Sequence, residues 1–390
     1  MTKEIKKIAL FSAYYPPHLG GVELFTKNLS EALGRKGVKV TVITSSSKDA
    51  KTDIDAGSKP CVVALPSLSI MGDRFPLILP SPHFFALRKQ IEKEQFDGIV
   101  VNTRYYPISL LGCREAAKHG TSAVLIDHSS GPISSENNPL GTLMRQYESA
   151  MTKIIARQNP RFCSVSQRGL QWLQSINLPV STVIPNSIDA EKYRHLSSEK
   201  NWRMALDLDE GTFLVTYAGR LIPEKGLPKL LQAMDEVNKS NKKIVLAIAG
   251  DGPLVADLQK NSSPHIRYVE RLNQSDLSAL LGASDCFCFP TEYPEGLPTV
   301  LLEAAAQNCA IIVSDCAGAR EIIKDSSMGI VLTDVSSKAI ADSILKLASD
   351  RVETRSMGLK VREHVERTFS WDATADKLLR FISASLNESF

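Results

Sequence analysis

Residues 286–306 read Cys-Phe-Cys-Phe-Pro-Thr-Glu-Tyr-Pro-Glu-Gly-Leu-Pro-Thr-Val-Leu-Leu-Glu-Ala-Ala-Ala. Four apolar residues, a turn rich in Pro and Gly, and a run of helix formers describe a strand feeding a helix, so the turn is expected at the carboxyl edge of a parallel sheet. Glu295 lies in that turn, and the amides of Gly296 and Leu297 are expected at the helix N-terminus, where free N–H groups favour anionic oxygens. Thr299 opens the helix and Glu303 follows two turns beyond Glu295, about 12 Å away at 1.5 Å per residue. Two carboxylates at that separation suit the two ends of an extended, hydroxyl-rich ligand such as a nucleotide sugar. The same spacing also fits a surface Glu in a turn followed by an ordinary helix Glu.

The strand–turn–helix unit recurs. Residues 6–12 form an apolar strand, the loop Tyr14 to Gly21 carries a glycine pair, a helix is expected from Val22 to about Gly34, and Val38 to Thr44 is the next strand. The loop is not Gly-x-Gly-x-x-Gly, so it carries no dinucleotide fingerprint. Further strands are expected at 60–65, 98–102, 123–127, 162–165 and 182–184. A second series begins at Phe213 and runs through 243–249, 266–269, 286–289, 310–314 and 329–332, with helices between. Alternation of this kind means a parallel α/β sheet in each half. Residues 191–205, charged and without a clear strand, are expected to link a first domain (1–190 plus 372–390) to a second (206–371). A cleft between the two is the expected ligand site. The exception to the pattern is Ser67 to His83, Pro-rich and apolar, expected to be a buried connector or a loop facing an acceptor or membrane.

The chain has 390 residues, 43% hydrophobic and 23% charged, the composition of an ordinary globular protein. No apolar run reaches the roughly 18 residues of a membrane span. The charged N-terminus leads straight into a strand, so no signal peptide and a cytoplasmic location are expected. Seven cysteines lack metal-ligand or disulfide spacing, and reduced, packed thiols are expected. The net charge of +3 hides an asymmetry: residues 1–200 hold 25 Lys and Arg against 17 Asp and Glu, and the remainder hold 21 against 26. A basic first half suits an acidic partner, either a phosphate-bearing acceptor or the anionic inner face of a cell membrane. It can equally be a solvated surface, and nothing points to nucleic acid.

Ala218-Gly-Arg-Leu-Ile-Pro-Glu-Lys-Gly226 sits between the strand at 213–217 and the next helix. Arg220 and Lys225 therefore flank the same kind of sheet-edge turn as Glu295, and two fixed cations there suit a diphosphate. With Gly250-Asp-Gly-Pro253, the Glu295/Glu303 element, Gly20-Gly-Val-Glu23, Pro185-Asn-Ser-Ile-Asp189 and the Phe-Ser-Trp at 369–371, the chain resembles the retaining GT-B glycosyltransferases of family 4 along essentially its whole length. That resemblance implies two Rossmann-like domains facing each other across a deep cleft, the acceptor mainly on the first and a UDP- or GDP-sugar donor mainly on the second, with no metal ion or other cofactor. It implies that Arg220 and Lys225 hold the diphosphate, that Glu295 with the Gly296 and Leu297 amides meets the donor sugar, and that Glu303 takes the ribose. Gly20 and Gly21 would let the first loop approach the diphosphate, and His128, ending the strand at 123–127, would meet the sugar. It also implies that the last helix returns to the first domain. The chain departs from the family at Ser187 and Val38, and Val269-Glu-Arg-Leu272 lacks the Gly common before the base-binding loop. The expected activity is sugar transfer to a carbohydrate or lipid-linked acceptor in polysaccharide or glycolipid synthesis. A sugar-phosphate synthase or phosphorylase on the same fold and a non-catalytic two-lobed binding protein are the competing readings.

Overall fold

The computed structural model describes residues 4–18, 20–46, 60–70, 75–134, 138–239, 243–260, 263–293, 296–315 and 318–387. The chain divides into two compact units, residues 1–186 with 371–390 and residues 187–370.

In the first unit the order is β1 (Lys7–Ser12), α1 (Gly21–Arg35), β2 (Lys39–Ser46), β3 (Cys61–Ile70), β4 (Phe75–Ile78), α2 (Pro82–Lys93), β5 (Gly98–Asn102), α3 (Pro107–Lys118), β6 (Val124–Asp127), α4 (Pro139–Ala156), β7 (Arg161–Ser164), α5 (Gln167–Ser175) and β8 (Val180–Val183). These strands form one eight-stranded sheet in the order β4-β3-β2-β1-β5-β6-β7-β8. Alternation along β1 divides the core between the two faces: Ile8 and Leu10 join Phe25, Leu29 and Leu33 of α1, while Ala9 and Phe11 pack with Ile108 and Cys113 of α3. Strand order reverses at β1, which pairs with β2 on one side and β5 on the other, both parallel. A crevice outside the carboxyl ends of β1 and β5 follows from that reversal.

Within the stretch from Ser67 to His83, residues 67–70 and 75–78 are strand and not loop. β3 continues to Ile70, and β4 pairs with it antiparallel in the register Leu68↔Leu77 and Ile70↔Phe75. Pro76 is tolerated because β4 is the sheet edge, where a missing N–H interrupts no ladder.

The second unit contains α6 (Ala190–His195), α7 (Trp202–Ala205), β9 (Phe213–Ala218), α8 (Leu227–Asn238), β10 (Ile244–Ala249), α9 (Val255–Lys260), β11 (Ile266–Tyr268), α10 (Gln274–Ala283), β12 (Cys286–Phe289), α11 (Thr299–Ala306), β13 (Ala310–Ser314), α12 (Ala319–Ile322), β14 (Ile330–Leu332), α13 (Ser337–Ser349) and α14 (Arg351–Thr368). Its six strands run parallel in the order β11-β10-β9-β12-β13-β14, and the reversal falls between β9 and β12. Residues 191–205, expected as a linker, instead supply α6 and α7, whose Tyr193 and Trp202 are buried in the second unit's core. Trp202 Nε1 donates to the Asp276 carbonyl (3.0 Å), and the Ser278 hydroxyl donates to the Tyr193 carbonyl (2.7 Å), fastening both helices to α10. The last helix, α15 (Trp371–Asn387), packs in the first unit with Trp371, Ala375, Leu378 and Ile382 in its core. Six cysteines lie in the described residues, five of them buried, and Cys316 lies outside those residues. No helix among the described residues is long and apolar enough to cross a membrane.

Candidate functional site

The reversal in the second sheet sets the carboxyl ends of β9 and β12 side by side, and each is followed by a turn carrying sequence-predicted residues. The turn after β9 contains Arg220, a short 3-10 segment from Pro223 to Lys225, and then Gly226 at φ 78°. A Cβ on Gly226 would stand 1.9 Å from the Pro290 carbonyl oxygen, so the backbones of the two turns meet there and only glycine fits. The Glu292 and Tyr293 amides both donate to the Glu224 carbonyl (2.9 Å each), knitting the turns together. Lys225 Nζ lies 5.5 Å from the Phe289 ring centroid and 5.3 Å from that of Tyr293. Arg220 is exposed, and its guanidinium makes no ion pair or hydrogen bond among the described residues. Lys225 thus borders the turn that carries Glu295, and Arg220, unpaired among the described residues, stands in the adjoining turn after β9. Glu295 itself lies outside the described residues.

The helix after that turn begins at Thr299 with Pro298 as its cap residue, so Gly296 and Leu297 precede the first turn and do not form it. The Leu297 side chain is buried in the core and Thr299 is exposed. Glu303 sits in the second turn of α11, partly open at its surface but set in dense surroundings. That burial pushes its carboxyl up to about 7. On α6, the buried Tyr193 hydroxyl has no hydrogen-bond partner among the described residues, and its pKa is raised by burial first and by Glu303 second. Tyr193 thus borders Glu303 from the stretch expected to be a linker.

The turn after β9 also closes against the Gly-Asp-Gly-Pro segment. The Leu221 amide donates to the Asp251 carbonyl (2.9 Å), and the Leu254 amide donates to the Leu221 carbonyl (3.2 Å). A cavity of about 510 Å³ opens here, lined by Arg220, Gly250, Asp251, Gly252, Arg271 and Leu272 among others. Arg271 adds a third cation to this edge. Glu270, in the Val269–Leu272 stretch, adopts φ 59°, a left-handed conformation that glycine enters without strain.

In the first unit the glycine pair follows β1. Gly20 caps α1 without a side-chain hydrogen bond, and a Cβ there would stand 2.3 Å from Glu23 Oε2. Glu23 is 7% exposed, and its Oε1 lies 3.0 Å from His18 Nδ1. His18 in turn stacks on Tyr14 at 4.1 Å between centroids. The loop is thus shaped by a His–carboxylate pair that spacing did not single out. Gly21 has open space where a Cβ would stand.

His128 follows β6 directly. Its Nε2 lies 3.1 Å from Asn102 Oδ1, Asn102 Nδ2 donates to Thr26 Oγ1 (2.8 Å), and the Thr26 hydroxyl donates to the Val22 carbonyl (2.7 Å). With Oδ1 able only to accept, this chain assigns the proton to Nε2 and leaves Nδ1 as an acceptor. Burial lowers the His128 pKa to about 4, so the ring is neutral near pH 7. The Phe25 ring meets it edge to face at 4.7 Å.

Behind His128 is a buried ion cluster that spacing gave no sign of. Arg104, fully buried, donates from Nη1 to Asp127 Oδ1 (2.8 Å) and to the Ser129 hydroxyl (2.5 Å), and from Nη2 to Glu148. Asp127 also accepts from the amides of Arg104 (3.2 Å) and Ser129 (2.9 Å). Arg104 follows β5, Asp127 ends β6 and Glu148 is on α4, so the cluster ties three elements around the residue that precedes His128.

The family description "Glycosyltransferase Family 4" matches residues 19–192, and "Glycosyl transferases group 1" matches residues 198–364. A GDP-mannose-dependent monoacylated alpha-(1-6)-phosphatidylinositol monomannoside mannosyltransferase of Corynebacterium glutamicum is 22% identical over 97% of this chain and 98% of its own length. A UDP-Gal:alpha-D-GlcNAc-diphosphoundecaprenol alpha-1,3-galactosyltransferase of Escherichia coli is 25% identical over 95% of this chain and 96% of its own. Among solved structures, HepE of Anabaena in complex with UDP shares the fold at a TM-score of 0.73 and 16% identity, covering 97% of this chain and 100% of that one. With the two family descriptions matching its two halves in succession, the chain belongs to the GT-B glycosyltransferases of family 4.

Proposed function

We propose that this glycosyltransferase moves a sugar from a nucleoside diphosphate donor to a hydroxyl of a carbohydrate or lipid-linked acceptor, retaining the donor's anomeric configuration and using no metal ion. The observation that carries the reading is the pair of cations at the β9–β12 edge, with the Arg220 guanidinium unpaired among the described residues and Lys225 in a turn fixed to the one bearing Glu295. As the bond from the anomeric carbon to the leaving phosphate oxygen breaks, negative charge grows on the diphosphate. Arg220 and Lys225 stabilise that charge where a metal ion otherwise would. The acceptor oxygen bonds to the anomeric carbon on the face the phosphate leaves, and its proton passes to the leaving phosphate, so no protein nucleophile is assigned. Glu295, with Gly296 and Leu297, orients the sugar hydroxyls, Thr299 borders the diphosphate, and Glu303 accepts the ribose hydroxyls. In the first unit, the Gly20–Gly21 loop and the free Nδ1 of neutral His128 serve as further hydrogen-bonding and approach groups. The acceptors in the relatives' names, a phosphatidylinositol mannoside and a diphosphoundecaprenol-linked sugar, support a lipid-linked acceptor and glycolipid or polysaccharide synthesis. Their donors differ, GDP-mannose in one and UDP-galactose in the other, so both nucleotides belong in the assay.

The test is release of UDP or GDP from a panel of nucleotide sugars, with and without lipid-linked acceptors. Arg220→Ala is expected to lower kcat/KM by roughly 10²–10³, the cost of removing one preorganised charge-stabilising group. No turnover of any donor, together with an unchanged nucleotide-induced thermal shift in Arg220→Ala, sinks the reading. Glu303 adds a pH signature. With its carboxyl held up to about 7, ionisation to the better acceptor is incomplete at neutrality. Donor KM is therefore expected to fall between about pH 6 and about pH 8 in the wild type and to stay flat and higher in Glu303→Gln. Parallel KM profiles would remove Glu303 from the donor site.

A further inference from the structure

The second unit has another cavity, of about 550 Å³, at the opposite edge of its sheet from the turns described above. It is lined by Phe213, which opens β9, by Asp285, which precedes β12, and by Asn308 in the turn before β13, so it lies where these parallel strands begin. Ala218, at the other end of β9, lines the cavity that contains Arg220. The two cavities therefore sit at opposite ends of one strand, about 17 Å apart at 3.3 Å per residue. A volume of this size suits one small molecule.

Cations converge on this cavity without a matching set of acids. Lys200, Arg203, Arg351 and Arg355 line it, and Asp285 alone among the described lining residues is acidic. Asp285 is already engaged, its Oδ2 accepting from Arg203 Nη2 (2.8 Å) and from the Leu214 amide (2.8 Å). Arg203 is engaged in turn, its Nε and Nη1 donating to the carbonyls of Ala283 (3.1 Å) and Thr212 (3.0 Å). The other three cations have no carboxylate partner among the described residues. Arg351 donates from Nη2 to the Gly211 carbonyl, and its guanidinium lies 5.6 Å from the Phe213 ring centroid. Lys200 Nζ lies 3.7 Å from the Trp202 ring centroid. Arg355, one turn after Arg351 on α14, makes no hydrogen bond or ion pair among the described residues. Three acids adjoin these cations in sequence, and none pairs with them. Asp350 caps α14 by accepting from the amides of Val352 (3.1 Å) and Glu353 (2.9 Å), and Glu199 and Glu353 make no ion pair among the described residues. Two arginines four residues apart on one helix face repel each other, and a bound anion removes that repulsion. Guanidinium forks on successive turns, joined by an ammonium, match the oxygens of a phosphate, and three uncompensated charges favour a dianion over a monoanion.

We propose that this cavity binds a phosphate dianion, free or as the monoester of a small alcohol, at the edge of the second sheet remote from the β9–β12 turns. Lys200, Arg351 and Arg355 contact its oxygens, while Arg203 keeps its bonds to Asp285. None of these residues belongs to the proposed donor site, so the inference does not rest on that reading.

The test is isothermal titration of the full chain with inorganic phosphate and with glycerol 3-phosphate, in about 0.15 M NaCl so that the diffuse field of a basic surface is screened beyond about 8 Å. It is run in the Arg220→Ala/Lys225→Ala protein, where the cations of the other edge are gone. One site per chain is expected there, and adding Lys200→Gln/Arg355→Gln is expected to weaken it at least about tenfold, since two charge-assisted contacts are lost. Both side chains are exposed, so an unchanged unfolding midpoint without ligand certifies the fold of the variant. Tighter binding of glycerol 3-phosphate identifies a monoester site, and equal or tighter binding of inorganic phosphate identifies a free-phosphate site; either upholds the proposal. Absence of binding by both probes, equal affinity with and without Lys200→Gln/Arg355→Gln, or binding that appears only when the salt is left out overturns it. Turnover of nucleotide sugars plays no part in the readout, so the anion site and the transferase reading stand or fall separately.

Discussion

His128 is held neutral by its surroundings, and that has a measurable cost in acid. The unfolded imidazole takes up its proton near 6.5, whereas the folded one does so only near 4. The unfolded state therefore binds more protons across that window, and stability falls as pH drops through it. At about 1.36 kcal/mol per pH unit, the loss at the lower end is about 3 kcal/mol. Urea unfolding followed from pH 7 downward is expected to show this loss in the wild type and a flatter profile in His128→Gln, which has no proton to gain. Equal slopes would mean that the imidazole is not held neutral. The position of His128 at the end of a strand was readable in sequence, but its tautomer was not. That depends on Asn102 and Thr26, whose place beside the ring is set by the pairing of β5 with β6 and the packing of α1. The His18–Glu23 pair escaped notice for a different reason: a five-residue separation in a loop with two prolines has no periodicity to flag it.

At the scale of elements, the parallel strands were legible because each is a short apolar run set between helical patterns. The edge pair of strands was not, since Pro66 and Pro76 read as breakers and only the pairing shows that β3 runs through Pro66 and that Pro76 lies on the sheet edge. α6 and α7 hold six and four residues, too few for a helical period to emerge, and only their burial against α10 and α11 identifies them as part of a core. The buried cluster of Arg104, Asp127 and Glu148 joins residues up to 44 apart, so no spacing rule reaches it. Its energetics are asymmetric. Removing Arg104 leaves two buried carboxylates without their cation, a change that costs about 3–5 kcal/mol, while an exposed pair such as Arg35–Asp372 contributes at most about 1 kcal/mol. Arg104→Ala is therefore expected to lower the first unit's unfolding midpoint far more than Arg35→Ala does. Because Asp127 precedes His128, the surviving folded protein is also expected to lose kcat. A double change that neutralises the carboxylates, Asp127→Asn/Glu148→Gln in the Arg104→Ala background, is expected to recover part of the stability. If Arg104→Ala and Arg35→Ala shift the midpoint equally, the cluster does not support the β5–β6 edge.

For the whole molecule, the decisive element is the last helix. Its apolar residues follow helical spacing, which reveals an amphipathic helix but not the core it joins. In the structure, Trp371, Ala375, Leu378 and Ile382 are buried in the first unit beside α1, about 340 residues upstream. Lys36 pairs with Asp376 (2.7 Å), the Thr374 hydroxyl donates to the Pro185 carbonyl (3.2 Å), and Arg161 donates to the Phe381 carbonyl (2.6 Å). At roughly 1.5–3 kcal/mol for each large side chain buried, Trp371, Leu378 and Ile382 together contribute about 5–9 kcal/mol, an upper estimate. That is comparable to the whole 5–15 kcal/mol by which a domain is stable, so it outweighs the surface ion pairs around it. A chain ending at Ser370 is therefore expected to unfold its first unit while its second unit, whose core includes no residue beyond Phe369, stays folded and retains nucleotide binding. Hydrogen exchange resolves the two outcomes: β1, β2 and β5 amides are expected to lose protection and β9, β10 and β12 amides to keep it. Unfolding of both units together would mean that the second depends on the first for its stability, and retention of both would mean that α15 contributes far less than its burial implies.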